Sequence, residues 1–321
     1  MSPASTGVWP STGARRPVAA RRRMAGAVCV VVLALCGLAG CTRQWHPATE
    51  PHGMVRATFE YSPGYSLDVL TPAADANGPL PVFVLMHGCC GSRADMATFA
   101  DGLAASGAVV FNVDWTGISA GGYPLGYEQA ACAVRTASAF AGRFGGDPKA
   151  VALVGWSDGA MVGAVAALNA AQLSGACLVS GTAEPKAFVG IAGFYGWPLD
   201  AAGQIHPTPL SSSVRAFFGG TPQTAPDAWA QGNPFTVLAQ RPELIIRLIV
   251  SSHDALRFNN RDFAAAARAH CHDVTLTIVD YQEDFSLITS RTPEGQTTIR
   301  TTMGALTDPA EADPTPAATI C

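Results

Sequence analysis

The chain of 321 residues carries 24 Asp and Glu against 20 Lys and Arg, a net charge of −4, and beyond its first 40 residues it is more acidic and has no basic cluster, which argues against nucleic acid as a partner. With 48% hydrophobic residues it has enough apolar side chains for one large single-core domain. Five of the Arg lie within residues 1–40, so a chain beginning at residue 41 has 281 residues and 15 basic against 24 acidic side chains.

That first segment holds Arg15, Arg16, Arg21, Arg22 and Arg23 and no acid, then an apolar run from Ala25 to Ala39 that is short for a bilayer span. A basic start, a short apolar stretch and small residues before a cut describe an export signal. The four residues Leu38, Ala39, Gly40 and Cys41 resemble a bacterial lipobox, which implies a lipidated (palmitate-bearing) Cys41 and a protein held on the extracytoplasmic face of the cell membrane. An uncleaved anchor and an ordinary secretory signal are the alternatives. Residues 1–40 are thus read as signal peptide, 41–53 as a polar tether, 54–307 as the folded domain and 308–321 as a Pro-, Ala- and acid-rich tail.

Within the domain, residues 54–62 and 65–70 read as a hairpin turning at Pro63 and Gly64. Residues 79–88 form a continuous apolar strand of the kind that parallel sheets bury on both faces. A helix over 94–106, a strand over 108–113, a loop over 117–126 and a helix over about 127–144 follow. Strands at 188–194, 244–250 and 274–281 and a helix at 261–270 complete the alternation. It predicts an α/β domain with a mostly parallel sheet, helices on both faces, and a ligand site beyond the carboxyl ends of the strands. Residues 197–240 hold six Pro and little periodicity, and read as a lid-like excursion with one short helix near 214–218.

Beyond the signal and Cys41 six cysteines remain, Cys89, Cys90, Cys132, Cys177, Cys271 and Cys321. An even count in an exported chain favours disulfides, and no C-x-x-C pair suggests a metal. The expected pairs join Cys132 to Cys89 or Cys90, and Cys271 to Cys321. No cofactor is called for.

The chain's organising stretch runs from Val151 to Ala171. Four apolar residues lead directly into Gly155, Trp156, Ser157, Asp158 and Gly159, and an Ala-rich helical segment follows. A G-x-S-x-G turn between strand and helix strains the Ser and exposes its hydroxyl at the carboxyl edge of the sheet, so Ser157 is the candidate nucleophile. Gly117 to Gly121 match the same pattern, but Gly122, Pro124 and Gly126 follow it, so that match reads as loop.

With Phe144–Gly145–Gly146–Asp147–Pro148 ahead of this turn and His87–Gly88 closing an upstream strand, residues 80 to about 305 resemble an α/β-hydrolase of the carboxylesterase, lipase and dienelactone-hydrolase group. The resemblance implies hydrolysis of a small-molecule ester or acyl compound by Ser157. It implies an oxyanion hole from the backbone amide of Asp158 and from the loop of Gly88 and Cys89, and an acid at Asp254. An inward-facing Asp158 carboxylate would oppose the anion.

The base is the departure. No His follows His272, and the expected slot holds Gln282, Glu283, Asp284 and Phe285. His253 beside the acid, His206 in the excursion, or a Glu283 or Asp284 whose pKa is raised by burial are the remaining candidates. His87 is expected to brace the oxyanion loop. Without a base the fold would serve as a ligand- or partner-binding module at the cell surface.

Overall fold

The computed structural model describes residues 55–72, 78–181, 184–207, 210–280 and 284–308. The expectations for the signal, Cys41, the tether and the tail lie outside these residues. Eight strands form one sheet: β1 (Val55–Ser62), β2 (Tyr65–Leu70), β3 (Leu80–Met86), β4 (Val109–Val113), β5 (Gly146–Trp156), β6 (Ala187–Ile191), β7 (Ile245–Ser251) and β8 (Val274–Val279). Their spatial order is β1-β2-β4-β3-β5-β6-β7-β8. The first hairpin is antiparallel and joins β4 antiparallel, while β3 to β8 are parallel throughout.

Alternation along each strand sends successive side chains to opposite faces. Val82, Val84 and Met86 of β3 enter one apolar cluster, and Phe83 and Leu85 enter the other. The first cluster is covered by α3 (Leu125–Phe140), α4 (Asp158–Leu168) and α8 (Arg257–Ala269), the second by α1 (Ala97–Ala105) and α9 (Pro293–Thr307). Helix α4 is buried on every side, which its small residues permit: no polar stripe is needed where no side meets water. Strand β8, at the edge, alternates with Thr and stays half exposed.

Two local readings change. The Gly117–Gly121 match contains a single helical turn, α2 (Gly117–Ala120), followed by a cis Tyr123–Pro124 peptide; Ser119 has no left-handed backbone. Among the described residues of the excursion, α5 (Ser212–Phe218) stands where the one short helix was expected, and two further α-helices follow it, α6 (Pro226–Gly232) and α7 (Pro234–Val237). Pro226 and Pro234 stand in the first turns of α6 and α7, where a missing N–H costs nothing, so these prolines mark helix starts. Trp229 stacks on Phe218 at 4.2 Å between ring centroids and meets Trp197 at 5.1 Å, while Asn233 bonds both the N–H and the C=O of Trp197.

The expected pairing of Cys132 with Cys89 or Cys90 is overturned. Cys132 faces inward from α3 and bonds Cys177, on the segment after α4, with 5.0 Å between Cα atoms. Cys89 and Cys90 sit on the loop after β3 and are free. Cys271 is disulfide-bonded, and its expected partner Cys321 lies outside the described residues. Among the described residues no helix is long and apolar enough to cross a membrane.

Candidate active site

Strand β5 ends at Trp156 and α4 begins at Asp158, leaving Ser157 alone in the turn with φ 54° and ψ −123°. A non-glycine residue in such a conformation costs about 1–3 kcal/mol, and it persists only where its surroundings over-determine it. Those surroundings are specific. The Ser157 N–H donates to the Ile191 carbonyl at 3.0 Å, and the Ser157 carbonyl accepts from Ala160 N–H at 3.0 Å and Phe194 N–H at 3.4 Å. A Cβ at Gly155 would run into the backbone of Gly159 and Ala160, and one at Gly159 into the carbonyls of Met86 and His87. Both positions require glycine because backbone, not a yielding side chain, occupies the space. Among the described residues none hydrogen-bonds to Ser157 Oγ.

The loop after β3 lies against this turn. A Cβ on Gly88 would stand 3.1 Å from the Trp156 ring and 3.2 Å from Ser157 Cβ, so the Gly88 backbone is next to Ser157. His87 fixes the loop. Its Nε2 faces the Trp115 N–H at 3.3 Å and must accept; its proton therefore sits on Nδ1, which donates to the Gly88 carbonyl at 2.7 Å. Trp115 Nε1–H returns a bond to the His87 carbonyl at 3.0 Å. Burial lowers the pKa of His87, in keeping with this neutral tautomer.

The Asp158 N–H opens α4 and has no acceptor within the helix, so it is free to face a developing anion. Its carboxyl is buried, and burial pushes the pKa up to about 6 although the Cys89 thiol beside it acts in the other direction. The Cys89 thiol is in turn raised well above the ordinary range, first by burial and then by the Asp158 charge.

Asp254 follows β7 at the same edge of the sheet. It is buried, its Oδ1 accepts from Leu256 N–H at 2.7 Å, and its own N–H donates to Ser251 at 3.2 Å. Each of the two histidine candidates has a carboxylate beside it. His253 Nε2 is 3.3 Å from Asp280 Oδ1 and His206 Nε2 is 2.8 Å from Asp200 Oδ2, both in exposed pairs. His272 lies with Nδ1 3.1 Å from the Leu244 carbonyl and Nε2 2.8 Å from the Leu238 carbonyl, before β7 at the amino edge.

Gln282 and Glu283 lie outside the described residues, as does the side chain of Asp284. The segment after β8 nevertheless reaches the elbow: the Phe285 ring packs on Trp156 with centroids 4.8 Å apart. Sequence reasoning missed this contact and the Trp115 brace; an aromatic just past the carboxyl end of β4 was the one available signal for the latter. Among the described residues no group of three His, Cys, Asp or Glu is placed to hold a metal ion.

A sequence model described as "Alpha/beta hydrolase family" matches residues 82–292. A search among curated proteins found no match. Similar solved structures include an esterase from Pyrobaculum calidifontis, 21% identical with TM-score 0.60, covering 78% of this chain and 85% of that one. Carboxyl esterase 2 from the fungus Tuber melanosporum is 19% identical with TM-score 0.62, covering 82% and 90%. A bacterial heroin esterase is 18% identical with TM-score 0.63, covering 81% and 87%. At these identities the likeness is one of fold.

Proposed function

Because the chain belongs to the alpha/beta hydrolase family, we propose that it hydrolyses carboxylic esters through Ser157. Ser157 Oγ attacks the ester carbonyl. The amides of Asp158 and of the Gly88–Cys89 loop receive the oxyanion, and Asp254 stands at the position where the family's acid is expected. The adduct collapses and expels the alcohol, which takes the proton that Ser157 lost to the base, and water then releases the acyl group from Ser157 as the carboxylic acid. The observation that carries this reading is the strained backbone of Ser157, φ 54°, held between two glycines that tolerate no Cβ. Packing alone has no need of that strain.

The packing of Phe285 against Trp156 supports Glu283 or Asp284, neighbours of Phe285 in sequence, as the base. The rings of His253 and His206 are engaged by Asp280 and Asp200. A carboxylate in this role needs a pKa raised by burial.

The second reading, a binding module that kept the pocket, is favoured by the lack of any histidine nitrogen on Ser157 Oγ among the described residues. A fluorophosphonate probe separates the two. Labelling of the purified protein that disappears in Ser157→Ala supports acyl transfer, and Glu283→Gln and Asp284→Asn then identify the base. A folded protein that stays unlabelled moves the assignment to ligand binding.

The Leu38–Cys41 motif supports export and lipidation at Cys41. Metabolic palmitate labelling that persists in Cys41→Ala would refute it.

A further inference from the structure

Cys89 and Cys90 are adjacent in sequence, both free, and their Sγ atoms are 3.1 Å apart on the loop whose Gly88 abuts Ser157. We propose that this pair is a thiol–disulfide modification site that closes to a vicinal disulfide with small-molecule disulfides as oxidant, and that closure reshapes the loop facing Ser157.

The geometry specifies a switch rather than a staple. Bridged cysteines usually hold their Cα atoms about 4.4–6.8 Å apart with sulfurs about 2.05 Å apart. Neighbouring residues across a trans peptide are fixed at about 3.8 Å, so a bridge between them is strained. Strained disulfides are the oxidising, readily reduced ones. Cys90 already sits in the left-handed region at φ 59°, and its Sγ donates to Ser119 Oγ at 3.4 Å. Drawing its sulfur onto Cys89 breaks that bond and twists the peptide between the two residues. That peptide adjoins the Cys89 amide, so the amide's direction changes with it.

The order of events follows from access. Cys90 is exposed, whereas Cys89 is partly buried against the Asp158 carboxyl. The Cys90 thiolate attacks a sulfur of the external disulfide R–S–S–R, forming Cys90–S–S–R and expelling one RS⁻. The Cys89 thiol, losing its proton, then attacks the Cys90 sulfur and expels the second RS⁻. Two thiols are oxidised, one external disulfide is reduced to two thiols, and two electrons pass. The Cys132–Cys177 bridge takes no part.

The effect on Ser157 rests on the acyl-transfer reading; the modification itself does not. The test uses the purified protein equilibrated with reduced or oxidised glutathione, then blocked with iodoacetamide and digested with trypsin. The peptide 57–93 contains both cysteines and no others. In the oxidised sample it is expected to lose 2 Da and refuse alkylation, and amide hydrogen exchange at residues 88–91 is expected to change with it. Cys90→Ser shows neither change. A peptide that remains doubly alkylatable, or one that keeps a glutathione adduct, overturns the proposal, and so does a 2 Da loss with unaltered exchange. With the fluorophosphonate probe, labelling is expected to slow by about tenfold or more on oxidation, the size of effect a misplaced oxyanion donor produces. Labelling absent in both states, with the mass and exchange changes present, upholds the modification and overturns the acyl-transfer reading instead.

Discussion

Asp158→Asn isolates the charge beside Ser157. Burial raises the Asp158 carboxyl from 3.8 to about 6. A carboxyl whose pKa is higher in the folded than in the unfolded chain favours folding most when protonated. Stability from this group is therefore full below pH 3.8 and is lost as pH rises towards about 6, above which the loss is constant. The shift corresponds to about 3 kcal/mol at one pKa unit per 1.36 kcal/mol. Asn keeps the shape, an oxygen to accept from the Cys89 thiol, and the backbone amide, so the substitution removes the charge and little else. The variant is expected to gain up to about 3 kcal/mol over the parent at about pH 8 and well under 1 kcal/mol at about pH 4. Urea unfolding at the two pH values reads the difference directly. His87, whose lowered pKa makes its contribution fall as pH drops below about 6.5, is present in both proteins and cancels. A gain equal at both pH values, or a loss at about pH 8, would refute the assignment of a buried, charged Asp158.

The Cys132–Cys177 bridge closes a loop of 45 residues, for which chain entropy gives about 4 kcal/mol. The double variant Cys132→Ala/Cys177→Ala is expected to lower urea-unfolding stability by about 2–4 kcal/mol, and a change under about 1 kcal/mol would show that the bridge constrains little. Two glycines predict opposite signs. Gly159→Ala drives a methyl into the Met86 and His87 carbonyls and is expected to cost about 3 kcal/mol or more. Gly304→Ala in α9 meets nothing within 4 Å and is expected to gain about 0.5–1 kcal/mol. Thermal unfolding of the two variants checks both, and equal shifts would refute the steric reading.

The parallel strands were legible because each is a short apolar run fixed by local composition, and β3, β4 and β7 end within about two residues of where the pattern places them. The elbow was legible for a related reason: backbone sterics at Gly155 and Gly159 admit one residue type, so the requirement is written in the sequence itself. Helix α9 went unread. Its buried face is Thr298, Ile299, Thr302 and Ala305, too polar to register as an apolar stripe, although Thr292 caps it by accepting from Gly295 N–H. The Cys132–Cys177 pair was unreadable because pairing depends on how α3 turns its face, and spacing carries no trace of that. The contact of Phe285 with Trp156 joins the loop after β8 to the end of β5, across two intervening strands, and no local pattern encodes it.

The distribution of unfavourable energy bears on function as much as the favourable contacts do. Ser157 carries about 1–3 kcal/mol of backbone strain, comparable to what burying one aliphatic side chain contributes. Its neighbour Asp158 carries about 3 kcal/mol more when ionised. Two consecutive residues thus hold several kcal/mol against folding, in a domain class whose whole stability is about 5–15 kcal/mol. A surface that only bound a ligand through the pocket walls would lose nothing by relaxing the turn. The strain has a use if the hydroxyl must project at one angle toward an acyl carbon while the amide behind it faces the oxygen of the same carbonyl. The Gly88 loop packs against the Ser157–Asp158 turn, which is what the proposed reaction would need. If Ser157 takes the fluorophosphonate label, Glu283→Gln and Asp284→Asn test a carboxylate base: loss of labelling in one of them supports it, and labelling unchanged in both refutes it.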